Sequence, residues 1–103
     1  MKEVSAITIL MLVLLEKEEV TLSQLYRMSD IAKEKGFFLM VSYKEIMEAI
    51  EKYSDFFALS ASVGESAVKR ALNSDKLFNK SNLLKKFTPG LTDEDREKLK
   101  EMF

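Results

Sequence analysis

The side chains that could do chemistry here are carboxylates, lysines, tyrosines and hydroxyls, because the sequence contains neither cysteine nor histidine. Thiol nucleophiles, imidazole bases, disulfides and nearly all transition-metal sites are therefore excluded. Three glutamates at helical spacing, Glu45, Glu48 and Glu51, could in principle do acid–base work. No loop rich in oxygen ligands for Mg²⁺ or Ca²⁺ accompanies them. The sequence thus predicts a protein that is not an enzyme and needs no metal or cofactor.

Positive charge is concentrated in one part of the chain, although the net charge is only −1. Residues 65–87 hold six basic and two acidic side chains, whereas residues 1–64 hold seven basic and ten acidic ones. Clustered basic side chains are the groups that neutralise nucleic-acid phosphates. The candidate phosphate contacts are Lys69, Arg70, Lys76, Lys80, Lys85 and Lys86. The alternative is a solvated face whose charges are spread around helical turns.

The elements that position these side chains belong to a single domain, since the chain has 103 residues. With 47% hydrophobic residues it can bury a core, and its three glycines and one proline argue against a fold of many strands and turns. The apolar run over residues 4–15 is shorter than the roughly 20 residues that span a membrane. It also lacks the flanks of a signal peptide. We expect a buried helix in a cytoplasmic protein that makes no membrane contact.

Three helices are predicted in the first half of the chain. The first covers about residues 5–17 and is apolar nearly all round. Thr21 and Gln24 have the spacing of a capping box, which begins a second helix that ends near Gly36. Ser42 and Glu45 repeat that spacing and begin a third helix. Between the second and third helices, FFLMV is either a short buried strand or a turn inserted in the core.

Residues 56–72 can be interpreted in two ways. The alternation of large and small side chains after residue 56 predicts a strand. Beyond it, the capping-box spacing of Ser62 and Glu65 favours a helix, whereas VGES could be the tip of a hairpin. We favour the helix, and therefore expect a mainly α fold with a helix-turn-helix core. A hairpin over residues 56–72 would make the domain α+β, with a wing.

The rest of the chain, residues 73–103, is predicted to contain the basic segment and an extra C-terminal helix. Residues 73–90 favour one or two short helical turns, and Thr92 has the type and position of the residue that begins the last helix. The apolar edge of that helix, Leu99, Met102 and Phe103, either docks on the domain or mediates a homodimer. The apolar first helix could serve as a dimer contact in the same way.

Two stretches carry a resemblance to a known family: ILMLVLLEKEEVTLSQLYRM, residues 9–28, and VSYKEIMEAIEKYSDFF, residues 41–57. With the order of helices around them, they resemble the winged helix-turn-helix domains of prokaryotic and archaeal transcription regulators. The resemblance covers about residues 5–72. It implies a DNA-binding regulator whose third helix enters the major groove, and such proteins are commonly dimers. The residues that it places near base edges are Ser42, Tyr43 and Lys44, and Lys69 and Arg70 would touch phosphates from a wing.

The composition of the third helix keeps a second function open. It carries three glutamates against Lys44 and Lys52, and it has no arginine, asparagine or glutamine, the side chains that most often read bases. A helix-turn-helix scaffold can also act as a protein-interaction module, with this acidic helix as the partner surface. The two functions differ in geometry. If Lys44 and the lysines of residues 69–86 share one face, DNA is favoured, whereas glutamates that separate them favour a protein partner.

Overall fold

The domain combines helices with two small sheets. The computed structural model describes residues 1–62, 64–71 and 86–103. The elements of this described part are, in chain order, β1 (Lys2–Ser5), α1 (Ala6–Glu16), β2 (Glu19–Thr21), α2 (Leu22–Glu34), β3 (Phe37–Met40), α3 (Tyr43–Lys52), β4 (Phe57–Ser62), β5 (Glu65–Arg70) and α4 (Asp93–Lys100). The strands β1 and β3 form a parallel pair, and β2, β5 and β4 form an antiparallel sheet in that spatial order. The expectation of a mainly α fold is therefore wrong, because the fold is α+β.

The helix α1 is the centre of the core. Its first turn is capped by the Ser5 hydroxyl, which accepts a hydrogen bond from the backbone N–H of Thr8. Every residue from Thr8 to Leu15 is buried, and each fully buried leucine contributes about 2 kcal/mol. The prediction of a buried first helix is confirmed, and its apolar surface is already covered within the domain. Nowhere in the described residues does a helix have the length and apolarity needed to cross a membrane.

The predicted capping boxes of α2 and α3 are both present. The Thr21 hydroxyl accepts from the Gln24 N–H while the Gln24 side chain accepts from the Thr21 N–H. Ser42 and Glu45 make the same reciprocal pair at the start of α3. The helix α2 stops before Gly36, whose φ of 89° lies in the left-handed region that favours glycine. These starts and stops are local, which is why the sequence reveals them.

The first four residues of FFLMV, Phe37–Met40, form a strand rather than a turn. In β3 the side chains of Phe37 and Leu39 are buried while Phe38 is exposed. β3 runs parallel to β1, with Val4 opposite Leu39, and the pair packs beside α2 and α1. This strand pair sets the distance between the end of α2 and the start of α3. The two helices are therefore not joined by a tight turn.

The preference for a helix over residues 62–72 is also wrong. The strand β5 pairs antiparallel with β4 on one side and with β2 on the other, which satisfies both of its edges. Ala67 and Val68 are fully buried in this central strand. The Glu65 carboxylate, expected in a capping box with Ser62, instead accepts a hydrogen bond from the Ser23 N–H at the start of α2. Tertiary pairing thus overrides the local helical preference.

The helix α4 docks on the domain through its apolar edge. Thr92 caps it in a box with Asp95, and Leu99 is fully buried beside α1. Met102 and Phe103 are partly buried against the same core. An ion pair between Lys2 and Asp95 further joins β1 to α4. Of the segment 73–90, residues 73–85 lie outside the described part of the chain.

Candidate nucleic-acid interface

The first turn of α3 presents two of the predicted base-reading residues to solvent. Tyr43 is 59% exposed, and Lys44 is exposed beside it. Ser42 caps the start of α3, because its hydroxyl accepts a hydrogen bond from the Glu45 N–H at 3.3 Å. The positive end of the helix dipole would attract a phosphate here. The Glu45 carboxylate lies in the same turn and offsets part of that attraction.

The solvent face of α3 carries more acid than base. Ile46 and Ala49 are buried, so the opposite side of the helix faces outward. Lys44, Glu48 and Glu51 are all exposed, and their spacing of four and then three residues places them on one stripe. A nucleic acid that lay along this stripe would meet one cation and then two anions. Any favourable contact is therefore confined to the first turn.

Lys69 and Arg70 are neighbours on β5 but have different surroundings. The Lys69 side chain is exposed, and on the adjacent strand Glu19 stands opposite it in register. The Arg70 guanidinium donates from Nε to the Leu14 carbonyl at 2.6 Å and from a terminal nitrogen to the Leu15 carbonyl at 3.1 Å. These are carbonyls of the last turn of α1, which has no basic residue of its own there. Arg70 thus caps α1.

Only part of the basic cluster, residues 65–87, belongs to the described residues. Lys86 is exposed, with its Nζ 5.5 Å from the centre of the Phe87 ring. Phe87 itself is buried, and its carbonyl accepts a hydrogen bond from the Thr8 hydroxyl, which fixes this part of the chain to α1. Lys76, Lys80 and Lys85 lie outside the described residues. The structure therefore places Lys44, Lys69 and Lys86 on the surface, and says nothing about the other three lysines.

A shallow groove borders the acidic side of α3, which sequence reasoning did not foresee. It has a volume of about 280 Å³ and lies between α3 and the start of α1. Ile7, Met40 and Tyr53 supply most of its apolar lining, and Glu45, Glu48 and Lys52 stand on its α3 side. The helical spacing of these glutamates was visible in the sequence. Their apolar neighbours come from distant parts of the chain and were not.

Two carboxylates outside this region have lowered pKa values. A hydrogen bond with Ser23 lowers the pKa of Glu65, and a hydrogen bond with Lys2 lowers the pKa of Asp95. Both groups are therefore ionised at neutral pH, where each joins two elements of the fold. Among the residues that the structure describes, no three carboxylates converge in the way that a metal ion requires.

The charge balance of the described residues is acidic, with 13 basic and 16 acidic side chains. A continuous basic face would therefore depend on Lys76, Lys80 and Lys85. Comparison of the chain with protein-family models, with curated proteins and with solved structures finds no match.

Proposed function

We propose that the protein is a non-enzymatic regulatory domain that binds double-stranded DNA. The observation that carries this proposal is the arrangement of α1, β2, α2 and α3, followed by a hairpin whose second strand pairs with β2. A winged helix-turn-helix domain presents a helix and a hairpin in this order, and here β4 of the hairpin contacts α3. The exposed first turn of α3 and the exposed Lys69 of the hairpin are thus carried by adjoining elements.

Affinity in this proposal comes from phosphates rather than from base reading. The cations offered to the duplex are Lys44, Lys69, Lys76, Lys80, Lys85 and Lys86, whereas Arg70 is engaged with α1. Each phosphate contact contributes about −0.9 to the slope of log K against log salt concentration. If all six lysines take part, the slope is about −5. The glutamates of α3 keep the rest of that helix away from the backbone.

The test is fluorescence anisotropy on a labelled random duplex of about 30 base pairs, titrated at several salt concentrations. Lys44→Ala and Lys69→Ala should each weaken binding at all sequences and reduce the salt slope by about one. The matched control is Lys98→Ala, which removes one exposed cation from the acidic helix α4. No binding at low salt would reject the proposal. Equal effects of Lys98→Ala and Lys69→Ala would mean that DNA binding depends on the net charge of the protein and not on the position of Lys69.

The groove beside α3 favours a second function, the docking of a protein partner. Its lining is apolar with two glutamates, Glu45 and Glu48, against one cation, Lys52, which suits a segment that carries an apolar anchor flanked by lysine or arginine. A helical peptide of leucine and lysine is a suitable probe, with its leucine–glutamate counterpart as control. Glu48→Gln should weaken binding of the basic peptide, and Glu34→Gln on the exposed side of α2 should not. A basic peptide that bound both variants equally would exclude the groove.

A further inference from the structure

A second cavity, lined by neither α3 nor the hairpin, has the features of a ligand site. It is half enclosed, with a volume of about 140 Å³, and lies where the end of α1, β2 and α2 meet the residues that follow α4. We propose that it binds a small amphipathic monoanion, namely a carboxylate with an apolar body of about six carbons. This inference is independent of DNA binding.

The floor and walls of the cavity are apolar. Val13, Val20 and Met28 form the floor, and each is at most 4% exposed. Ile31 and Phe103 contribute the more exposed walls. An apolar ligand body would displace water from these surfaces without leaving a buried polar group unpaired. The deep part of the cavity therefore selects hydrocarbon.

The rim of the cavity offers hydrogen-bond donors and cations. Its polar side chains are Lys17, Gln24 and Arg27. The Gln24 side-chain oxygen already accepts from the Thr21 N–H at 2.8 Å, so the free part of this amide is its NH₂ donor. No aspartate or glutamate side chain is among the described residues that line the cavity. A rim with this composition is complementary to an anion.

Neither cation of the rim is held in a close ion pair with a described carboxylate. Among the described residues, Lys17 and Arg27 form no ion pair with a carboxylate within 4 Å. Arg27 contributes to the lowered pKa of Glu65, but hydrogen bonding with Ser23 is the main cause of that shift. The C-terminal carbonyls of α1, which would repel an anion near Lys17, are partly covered by the Arg70 guanidinium. Within the described residues, the lining of the cavity thus carries two cationic side chains and no acidic one.

The volume limits the size of the ligand. An engineered apolar cavity of about 150 Å³ in another protein holds one benzene molecule. A cavity of about 140 Å³ thus accommodates one aromatic ring or a six-carbon chain, with the carboxylate at the mouth. Long-chain fatty acids and nucleotides are too large. Acetate and inorganic phosphate have no body to fill the floor.

The experiment is an NMR titration of the full chain with benzoate and hexanoate, with benzamide as the neutral analogue. The methyl resonances of Val13, Met28 and Ile31 should shift and saturate, with a Kd on the order of 1 mM as expected for about nine ligand atoms. Benzamide should bind several-fold more weakly than benzoate, because it lacks the charge. Equal affinity for the two would overturn the anion assignment. No saturating shift up to about 20 mM, a concentration well above that Kd, would overturn the site itself.

A variant pair tests the role of the rim. Arg27→Gln should weaken benzoate about fivefold and leave benzamide unchanged, while Arg27→Lys should restore part of the loss. Lys33→Gln is the matched control, because it removes the same charge from an exposed position of α2 that does not line the cavity. An equal loss of benzoate affinity in Lys33→Gln would show a general charge effect and refute the assignment. Thermal unfolding of each variant without ligand checks that the fold is intact.

Discussion

Replacing Arg70 by alanine should destabilise the fold without a specific effect on phosphate contacts. The guanidinium is partly buried and donates two hydrogen bonds to the last turn of α1, one from Nε to the Leu14 carbonyl and one to the Leu15 carbonyl. Hydrogen bonds that involve a charged group contribute about 1.5–3 kcal/mol each. In the variant, water molecules that hydrogen-bond to these carbonyls will recover part of this energy. We therefore expect Arg70→Ala to lower the free energy of unfolding by about 2–4 kcal/mol.

Urea denaturation followed by circular dichroism measures this loss, and the neighbouring residue supplies the control. Lys69→Ala removes an exposed cation from the same strand, so its stability should change by less than about 0.5 kcal/mol. Arg70→Lys should recover only part of the loss, because an ammonium group cannot reproduce the planar fork of a guanidinium. Where DNA binding is measurable on folded protein, Lys69→Ala should reduce the salt slope and Arg70→Ala should not. Normal stability of Arg70→Ala together with a reduced salt slope would refute this reasoning.

Three further outcomes follow from contacts elsewhere in the fold. Leu99→Ala should cost about 2–5 kcal/mol, because Leu99 is fully buried beside α1, and a cost below about 1 kcal/mol in calorimetry would show that α4 docks loosely. Ser60→Ala should be neutral or stabilising by up to about 1 kcal/mol, since the Ser60 hydroxyl is buried and has no hydrogen-bond partner among the residues that the structure describes; a clear loss in urea titrations would reveal a partner. The lowered pKa of Asp95 means that its pair with Lys2 stabilises the fold above the usual carboxyl pKa and is lost as the pH falls below it. Asp95→Asn should therefore flatten the acid side of the stability profile, and an unchanged profile would contradict this.

Features of the fold that depend on neighbouring residues were predictable. The boxes of Ser42 with Glu45 and of Thr21 with Gln24 each lie within three residues, and their hydroxyls act as the spacing predicts. The strand β5 was not predictable in this way, because its partner β2 lies about fifty residues earlier. Its local sequence favours a helix, and only pairing on both edges decides against that preference.

The same distinction between local and long-range features applies to the candidate site. The exposed stripe of Lys44, Glu48 and Glu51 follows from helical spacing alone, so the acidic character of α3 was evident in advance. The role of Arg70 was hidden, since its acceptors are 55 and 56 residues away. Both cavities are likewise assembled from segments distant in sequence. The sequence therefore predicts which charged side chains share one face of a helix. It does not predict which distant residues those side chains contact.

The pairing of β2 with β5 also constrains how the chain folds. Val20 stands opposite Val68, so the sheet closes a loop of about fifty residues that contains both α2 and α3, and closing such a loop is entropically slow. The β4–β5 hairpin joins adjacent segments and can form early. The contact of Arg70 with α1 requires the long closure and should form after the rate-limiting step. Its loss should then accelerate unfolding rather than slow folding, which would make the corner between α1 and β5 a determinant of the native lifetime.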